Sequence, residues 1–104
     1  MTEDANVQHQ QAASALESLG NETRLAIFRT LVRAGTAGLP VGGLKQKLEI
    51  PGSTLSHHLG QLISAGLVSQ SREGRVLRCQ AEFATMNELL GYLTDECCAD
   101  EPCC

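Results

Sequence analysis

The 104-residue sequence predicts a mainly α-helical domain that carries one small β-hairpin. Apolar residues recur at helical spacing along most of the chain, and two strand-like runs flank a single Glu-Gly pair. Only three aromatic residues are present, so aliphatic side chains must supply most of the core. A chain of this length makes one domain with a modest core, and we expect two subunits to complete that core as a homodimer.

The first third of the chain predicts two helices. Gln11 to Leu19 form the first, after a flexible segment at residues 1–10. Asn21 can cap the second, because its side-chain oxygen can accept an N–H of the first helical turn. Gly35 ends this helix, since glycine adopts the left-handed conformation that follows many helices without steric cost.

A helix-turn-helix is predicted next. Thr36 to Pro40 form a loop, Val41 to Leu48 a short helix, and residues 50–52 a tight turn. Ser53 can cap the helix after the turn, and Gly66 can end it. Two short helices joined in this way are typical of domains that place the second helix in the major groove of DNA.

The helix between Ser53 and Gly66 has two contrasting faces. Its apolar positions fall at i, i+4, i+7 and i+8, which predicts one buried stripe. The stripe consists of Leu55, Leu59, Leu62 and Ile63. The opposite face is polar and contains no acidic residue, so it can approach phosphates and base edges without repulsion. The DNA contacts predicted on this helix are Ser53, Thr54, Ser56, His57, His58 and Gln61.

Two strand-like runs, Leu67 to Arg72 and Arg75 to Gln80, predict the β-hairpin. Glu73-Gly74 lies between them, and Gly74 can supply the positive φ angle that a tight turn needs. Three arginines line the hairpin: Arg72, Arg75 and Arg78. A basic hairpin after a helix-turn-helix is a wing, whose arginines can reach the DNA backbone or minor groove. The fold class is therefore a winged helix-turn-helix, with Arg72 and Arg75 as further DNA contacts.

The last predicted helix carries an apolar stripe, whose members follow one another after three, three, one and three residues. The stripe consists of Phe83, Met86, Leu89, Leu90 and Leu93. It is too wide for so small a domain to bury alone, so we expect it to form the subunit interface together with the first helix. The winged-helix domain then covers residues 11–96, and residues 97–104 form a cysteine-rich sensing tail.

The net charge of −4 conceals a basic middle part of the chain. Residues 21–92 contain all eight lysines and arginines against five acidic residues, a net charge of +3. The acidic excess lies in the two ends. Every predicted DNA contact falls in the basic part, which favours double-stranded operator DNA as the partner.

Four of the five cysteines lie in the last eight residues: Cys97, Cys98, Cys103 and Cys104. A secreted disulfide scaffold spreads its cysteines through the fold. Clustered thiols without a signal peptide indicate instead a reducing cytoplasm and a soft-metal or redox role. The fifth cysteine, Cys79, is expected in the core. No run of about 18 apolar residues occurs, so we expect no membrane span.

Four segments, in order, resemble the arsenic-repressor (ArsR/SmtB) family across about residues 12–94. They are LGNETRLAIF at 19–28, STLSHHL at 53–59, AGLV at 65–68 and REGR at 72–75. The resemblance implies a winged-helix homodimer that represses transcription by binding operator DNA. It also implies release from DNA when a metal or metalloid binds.

The best-known sensor sites of that family have no counterpart in this sequence. Arsenic sensors carry Cys-Val-Cys before the recognition helix, where this chain has LPVGGL at residues 39–44. Zinc sensors place Asp, His and Glu ligands along the last helix, whereas residues 82–96 contain no histidine. The tail resembles instead those members that have a relocated C-terminal cysteine site.

Trivalent arsenic or antimony is the inducer expected at this tail, because soft ions select thiolate ligands. Cys97 and Cys98 supply two sulfurs, and a turn at Pro102 can bring back Cys103 or Cys104 as the third. No organic cofactor is expected.

Two other functions fit parts of the sequence. In the first, the same DNA-binding fold senses oxidants or persulfides, and Cys97/Cys98 form a disulfide with Cys103/Cys104. In the second, a small thiol protein buffers metal without binding DNA, which the basic hairpin and the polar helix face argue against. An enzyme is not expected, because no nucleophile–base–acid set occurs outside the DNA-contacting surface.

Overall fold

Five α-helices and a three-stranded antiparallel sheet make up the computed structural model, which describes residues 3–101. The helices are α1 (Glu3–Leu19), α2 (Glu22–Ala34), α3 (Val41–Leu48), α4 (Gly52–Ser64) and α5 (Phe83–Thr94). The strands are β1 (Leu39–Pro40), β2 (Val68–Glu73) and β3 (Val76–Ala81), in the order β1-β3-β2. The pair α3–α4 forms the helix-turn-helix and β2–β3 the wing, so the predicted winged helix-turn-helix fold is confirmed.

Seven fully buried side chains form the centre of the core. They are Ile27, Leu31, Leu44, Leu55, Leu62, Leu67 and Cys79, and they join α2, α3 and α4 to the sheet. Burying one such aliphatic side chain contributes about 1.5–3 kcal/mol. The predicted stripe on α4 is right at three positions and wrong at Ile63, which is 38% exposed. Ile63 lies about 80° around the helix from Leu55, at the edge of the stripe rather than on it.

Of the residues predicted to cap or end helices α2 and α4, all but one do so. The Asn21 side chain caps α2 by accepting the N–H of Arg24 at 3.1 Å. Gly35 ends α2 with φ 74°, and Gly66 follows α4 with φ 77°. The exception is Ser53, which does not cap α4.

Pro51 occupies the N-cap position of α4, so the helix begins at Gly52. Pro51 has extended backbone angles, φ −61° and ψ 148°, and its carbonyl oxygen accepts the N–H of Leu55 at 3.0 Å. The fixed φ of proline suits the residue that leads the chain into a helix. Ser53 therefore falls in the first turn, where its side chain is exposed to solvent.

Helix α1 begins at Glu3 rather than at the predicted Gln11. Residues 3–10 contain no proline or glycine to interrupt a helix, and their weak apolar pattern gave no periodic signal. His9 Nδ1 pairs with the hydroxyl of Tyr92, and the two rings lie 5.7 Å apart, which joins α1 to α5. The division into a flexible N-terminus, a domain and a sensing tail stays a prediction.

The predicted loop from Thr36 to Pro40 contains a short strand, β1. Leu39 pairs with Cys79, and Pro40 pairs with Arg78, so β1 extends the sheet beside β3. A 3-10 turn, Gly35–Ala37, precedes it. A strand of two residues shows no alternating pattern, and its formation depends on the distant β3.

The hairpin turn lies one residue later than predicted. Glu73 pairs with Val76, so Gly74 and Arg75 form the turn and Glu73 belongs to β2. Gly74 has φ 64°, the left-handed conformation that the sequence predicted for it. Arg75 consequently lies at the tip of the wing.

Within residues 3–101, no helix is both long and apolar enough to cross a membrane.

Candidate nucleic-acid interface and cysteine tail

Helix α4 buries its apolar side and leaves its polar side outward. Leu55 and Leu62 are fully buried, and Leu59 is 2% exposed. Of the six predicted contacts, Ser53, Ser56, His57 and Gln61 are exposed, and Thr54 and His58 are half-buried. Four of these side chains therefore form one open surface that can meet DNA.

His58 differs from the other polar residues of α4. Its Nδ1 atom is buried and has no hydrogen-bond partner within the described residues. Burial lowers the pKa of His58, and the positive charges of Arg24 and His57 lower it further. His58 is therefore turned partly towards α2, and its ring is less available to a base edge than that of His57.

The arginines of the hairpin divide into two kinds. Arg72 and Arg75 are exposed, whereas the Nε atom of Arg78 donates to Glu73 Oε1 at 2.6 Å. Arg78 also donates through Nη1 to the carbonyl oxygen of Ala37 at 3.0 Å. Arg78 therefore ties the hairpin to the segment before β1, and its charge is already paired.

The pairing register separates Arg72 from Arg78. Arg72 pairs with Leu77 and Arg78 with Ser71, so the two arginines point to opposite faces of the hairpin. Arg75 lies at the turn, outside the paired residues. Arg72 and Arg75 are the wing arginines whose guanidinium groups remain open to phosphate.

The tail after α5 brings two thiols together. The chain leaves the helix at Thr94 and continues in tight turns, in which the Cys97 N–H donates to the Thr94 carbonyl at 3.0 Å. Cys98 has φ 61°, a conformation uncommon outside glycine. Both cysteines are exposed, and their Sγ atoms lie 3.6 Å apart.

This sulfur pair fits a single soft ion. A bond from sulfur to an ion such as zinc is about 2.3 Å, so two sulfurs on one ion lie at most about 4.6 Å apart. The separation of 3.6 Å between Cys97 and Cys98 satisfies that limit. Among residues 3–101, no three His, Cys, Asp or Glu side chains are grouped to hold a metal. The other two predicted ligands, Cys103 and Cys104, lie outside the described residues.

Cys79 lies in the core, as predicted, with 0% of its surface exposed. Gln70, its partner across the hairpin, donates through Nε2 to Cys79 Sγ at 3.5 Å. Burial raises the pKa of the Cys79 thiol, and the hydrogen bond from Gln70 opposes that rise. A buried, protonated thiol is a poor metal ligand, so Cys79 is separate from the tail.

Arg24 is a polar residue to which the sequence pattern assigned no role. Its Nε atom donates to the carbonyl oxygen of Ser18 at 2.7 Å, and its side chain is half-buried between α1, α2 and α4. The contact joins two different helices, so no spacing within either one could have indicated it.

Comparison with known proteins identifies the family. Residues 19–70, half of the chain, match a family model described as a helix-turn-helix domain. The chain is 42% identical over 60 residues to the "Putative arsenical resistance operon repressor ArsR" of Halobacterium salinarum. The matched segment covers 58% of this chain and 46% of that protein. It is 35% identical over 66 residues to an uncharacterized HTH-type transcriptional regulator of Methanocaldococcus jannaschii, covering 64% of this chain and 72% of the relative. The chain belongs to the ArsR/SmtB family of transcriptional regulators.

Solved structures share this ArsR/SmtB fold over most of their length. An ArsR-like transcriptional regulator from Rhodococcus sp. superimposes with a TM-score of 0.76 at 27% identity, covering 88% of this chain and 83% of its own. Reduced HlyU from Vibrio cholerae superimposes with a TM-score of 0.66 at 30% identity. The match covers 90% of this chain and 99% of HlyU. The transcriptional repressor BigR from Xylella fastidiosa superimposes with a TM-score of 0.66 at 28% identity. The match covers 91% of this chain and 97% of BigR. The halobacterial relative is longer, and the chain spans less than half of it.

Proposed function

We propose that this chain is a homodimeric repressor that binds operator DNA and is released when trivalent arsenic or antimony binds its C-terminal thiolates. The observation that carries the sensing part is the pair of exposed thiols, Cys97 and Cys98, 3.6 Å apart just after α5. Soft thiolate ligands select ions of this class. Cys103 or Cys104 supplies the third sulfur.

The DNA-binding part of the proposal is supported by two open surfaces. Ser56, His57 and Gln61 present hydroxyl, imidazole and amide groups on α4. Arg72 and Arg75 add positive charge on the wing, where phosphate contacts would supply sequence-independent affinity. Helix α4 contains no acidic residue that would repel a phosphate.

The homodimer is supported by the apolar surface that one chain leaves uncovered. Leu90 and Leu93 on α5 are each 54% exposed, and Leu16 on α1 is 45% exposed. The radius of gyration is 16.0 Å, against about 13 Å for a compact domain of this length. An elongated subunit with exposed leucines on its first and last helices would bury them against a second copy.

The position of the thiols determines how a ligand could act. Cys97 and Cys98 follow α5 and lie outside the helix-turn-helix, so a bound ion cannot pull directly on α4. The ion would order the tail and bias the packing of α5 in the dimer, which fixes the spacing of the two recognition helices. Typical allosteric coupling energies are about 1–3 kcal/mol, so arsenite would weaken DNA binding by roughly 5- to 150-fold.

A titration of DNA-bound protein tests the proposal. Fluorescently labelled operator is bound by the reduced protein, and anisotropy is followed during addition of arsenite, antimonite, zinc or cadmium. We expect release by arsenite and antimonite, and the titrations with zinc and cadmium measure whether the response is restricted to trivalent ions. Retention of DNA at saturating arsenite and antimonite would contradict metalloid sensing.

The second candidate is a thiol-redox or persulfide-sensing repressor of the same fold. It is favoured by the exposure of Cys97 and Cys98, whose thiols are open to an oxidant. In this candidate a disulfide joins Cys97 or Cys98 to Cys103 or Cys104, by attack of one thiolate on the oxidised sulfur of the other. Intact mass separates the candidates: arsenite binding adds arsenic and displaces one proton per thiolate, a disulfide removes only hydrogen, and a persulfide adds sulfur.

A further inference from the structure

A cavity of about 140 Å³ lies where the end of α1, the start of α2 and the second half of α4 meet. Except for Ala65, its lining is polar: Ser14, Glu17, Ser18, Arg24, Gln61 and Ser64. One water molecule occupies about 30 Å³ in the liquid, so the cavity has room for a small polyatomic group.

Ser18 lines this cavity, and its hydroxyl is buried and unsatisfied. The residue is only 7% exposed, and its Oγ atom has no hydrogen-bond partner within the described residues. A helical serine can donate to the carbonyl four residues earlier, but this one does not. A buried hydroxyl without a partner costs free energy, so the site is incomplete without a further group.

Arg24 is held in place by the backbone of Ser18. Its Nε atom donates to the Ser18 carbonyl at 2.7 Å, which fixes the guanidinium plane and leaves its two terminal nitrogens as donors. Within residues 3–101, no carboxylate lies within ion-pair distance of Arg24. Glu17 also lines the cavity, but its side chain is exposed and its charge is screened by water.

The geometry points to a binding site for a phosphate-type oxyanion in this cavity. The terminal nitrogens of Arg24 and the amide of Gln61 donate to the anion, and the Ser18 hydroxyl adds a third donor when it rotates towards the cavity. A planar guanidinium matches a tetrahedral oxyanion through paired hydrogen bonds. The anion is either a backbone phosphate of the duplex or a free phosphate. If the anion is a phosphate of the duplex, the inference rests on the proposed function, because Gln61 lines the cavity and also lies on the polar face of α4. Binding of free phosphate does not depend on that function.

A test without DNA addresses the free anion. Thermal unfolding of the full-length protein is measured in rising inorganic phosphate, with chloride at matched ionic strength as the reference. We expect a saturable rise in Tm that Arg24→Gln and Ser18→Ala both reduce. Ser18→Ala keeps the backbone carbonyl that holds Arg24, so it remains informative if Arg24→Gln does not fold. Arg29→Gln, at an exposed position of the same helix, is the matched control and keeps the full rise.

A test with DNA addresses the backbone phosphate. The slope of log K against log salt is measured for the same variants on one duplex. Loss of one phosphate contact reduces that slope by about 0.9, which we expect for Arg24→Gln and not for Arg29→Gln. Either a phosphate-dependent Tm or an altered slope supports the site and identifies its source. An unchanged Tm response together with an unchanged slope would overturn it, and the cavity would then hold only water.

Discussion

Arg78 and Glu73 form an ion pair across the hairpin, with Nε and Oε1 2.6 Å apart. The pair lies on one face of the wing, next to the carbonyl of Ala37 that Arg78 also binds. Arg75 lies at the turn and is exposed. Two arginines three residues apart therefore have different surroundings, and their replacement should have different effects.

Arg75→Ala is expected to weaken binding to every duplex and to reduce the salt slope by about 0.9, because it removes one phosphate contact. Arg78→Ala is expected to reduce the salt slope of DNA binding less than Arg75→Ala does. It should instead lower stability by roughly 1 kcal/mol or less, since the pair is partly exposed to solvent. Salt-dependent anisotropy and urea unfolding measure the two effects. Equal slopes for Arg75→Ala and the unmodified protein would mean that the wing tip does not contact DNA.

Ser56→Ala and His57→Ala are expected to cost more on operator than on random DNA. Each exposed side chain can contact a base edge, and one good contact discriminates between bases by about 1–3 kcal/mol. Gln46→Ala, at an exposed position of α3, is the control and should lower both affinities equally or not at all. An operator preference that survives both changes on α4 would place the reading surface elsewhere.

The extent to which the fold could be predicted depends on how local each signal is. The bounds of α3, Val41–Leu48, were correct because an apolar period and flanking turn residues specify them within ten residues. Strand β1 was missed because its two residues become a strand only by pairing with β3, some 40 positions later. The N-cap of α4 was wrong because Ser53 and Pro51 both suit a helix start, and only the backbone angles distinguish them.

In the candidate site, too, local features could be predicted and features that depend on distant residues could not. The thiol pair could be predicted because Cys97 and Cys98 are adjacent in sequence. The inward turn of His58 could not, because it depends on how α4 packs against α2. The pairing of Arg78 with Glu73 requires the hairpin register, which the sequence reading placed one residue too early.

Gly38→Ala is expected to destabilise the protein by about 2–4 kcal/mol. Gly38 has φ 64°, and a Cβ atom there would lie 2.1 Å from the carbonyl oxygen of Cys79, a backbone atom that cannot move aside. Gly42→Ala is the matched control. Apart from neighbouring backbone of its own helix, the described residues place no atom within 4 Å of the Cβ added there, and alanine should stabilise α3 by up to about 1 kcal/mol. Urea unfolding measures the stability of both variants. Equal stabilities would contradict the close approach of Gly38 to β3.

Leu90→Glu is expected to shift the protein from dimer to monomer while leaving each subunit folded. Leu90 is 54% exposed in the single chain, so a charge there costs little until a partner covers it. Ala84→Glu places the same charge at an exposed position on another side of α5 and should leave the dimer intact. Sedimentation of the reduced proteins at micromolar concentration measures the difference. A Leu90→Glu variant that remains dimeric would exclude this face of α5 from the interface.

Replacing both Cys97 and Cys98 by serine is expected to preserve DNA binding and to abolish release by arsenite. The two thiols are exposed, so their loss should not disturb the winged-helix domain. Changing only Cys103 or only Cys104 should be partly tolerated, because either can supply the third sulfur. Operator affinity by anisotropy, with and without arsenite, is measured for each variant.

Cys79→Ser provides the control for this experiment, since Cys79 is fully buried and far from solvent. We expect it to lower stability while retaining the response to arsenite, because the thiol belongs to the core rather than to the sensor. Alkylation of the folded protein should accordingly modify Cys97 and Cys98 before Cys79, whose thiol pKa is raised by burial. Release by arsenite in the Cys97/Cys98 double variant would exclude these thiols as ligands. Loss of DNA binding in that variant without ligand would show that the tail supports the domain instead of sensing.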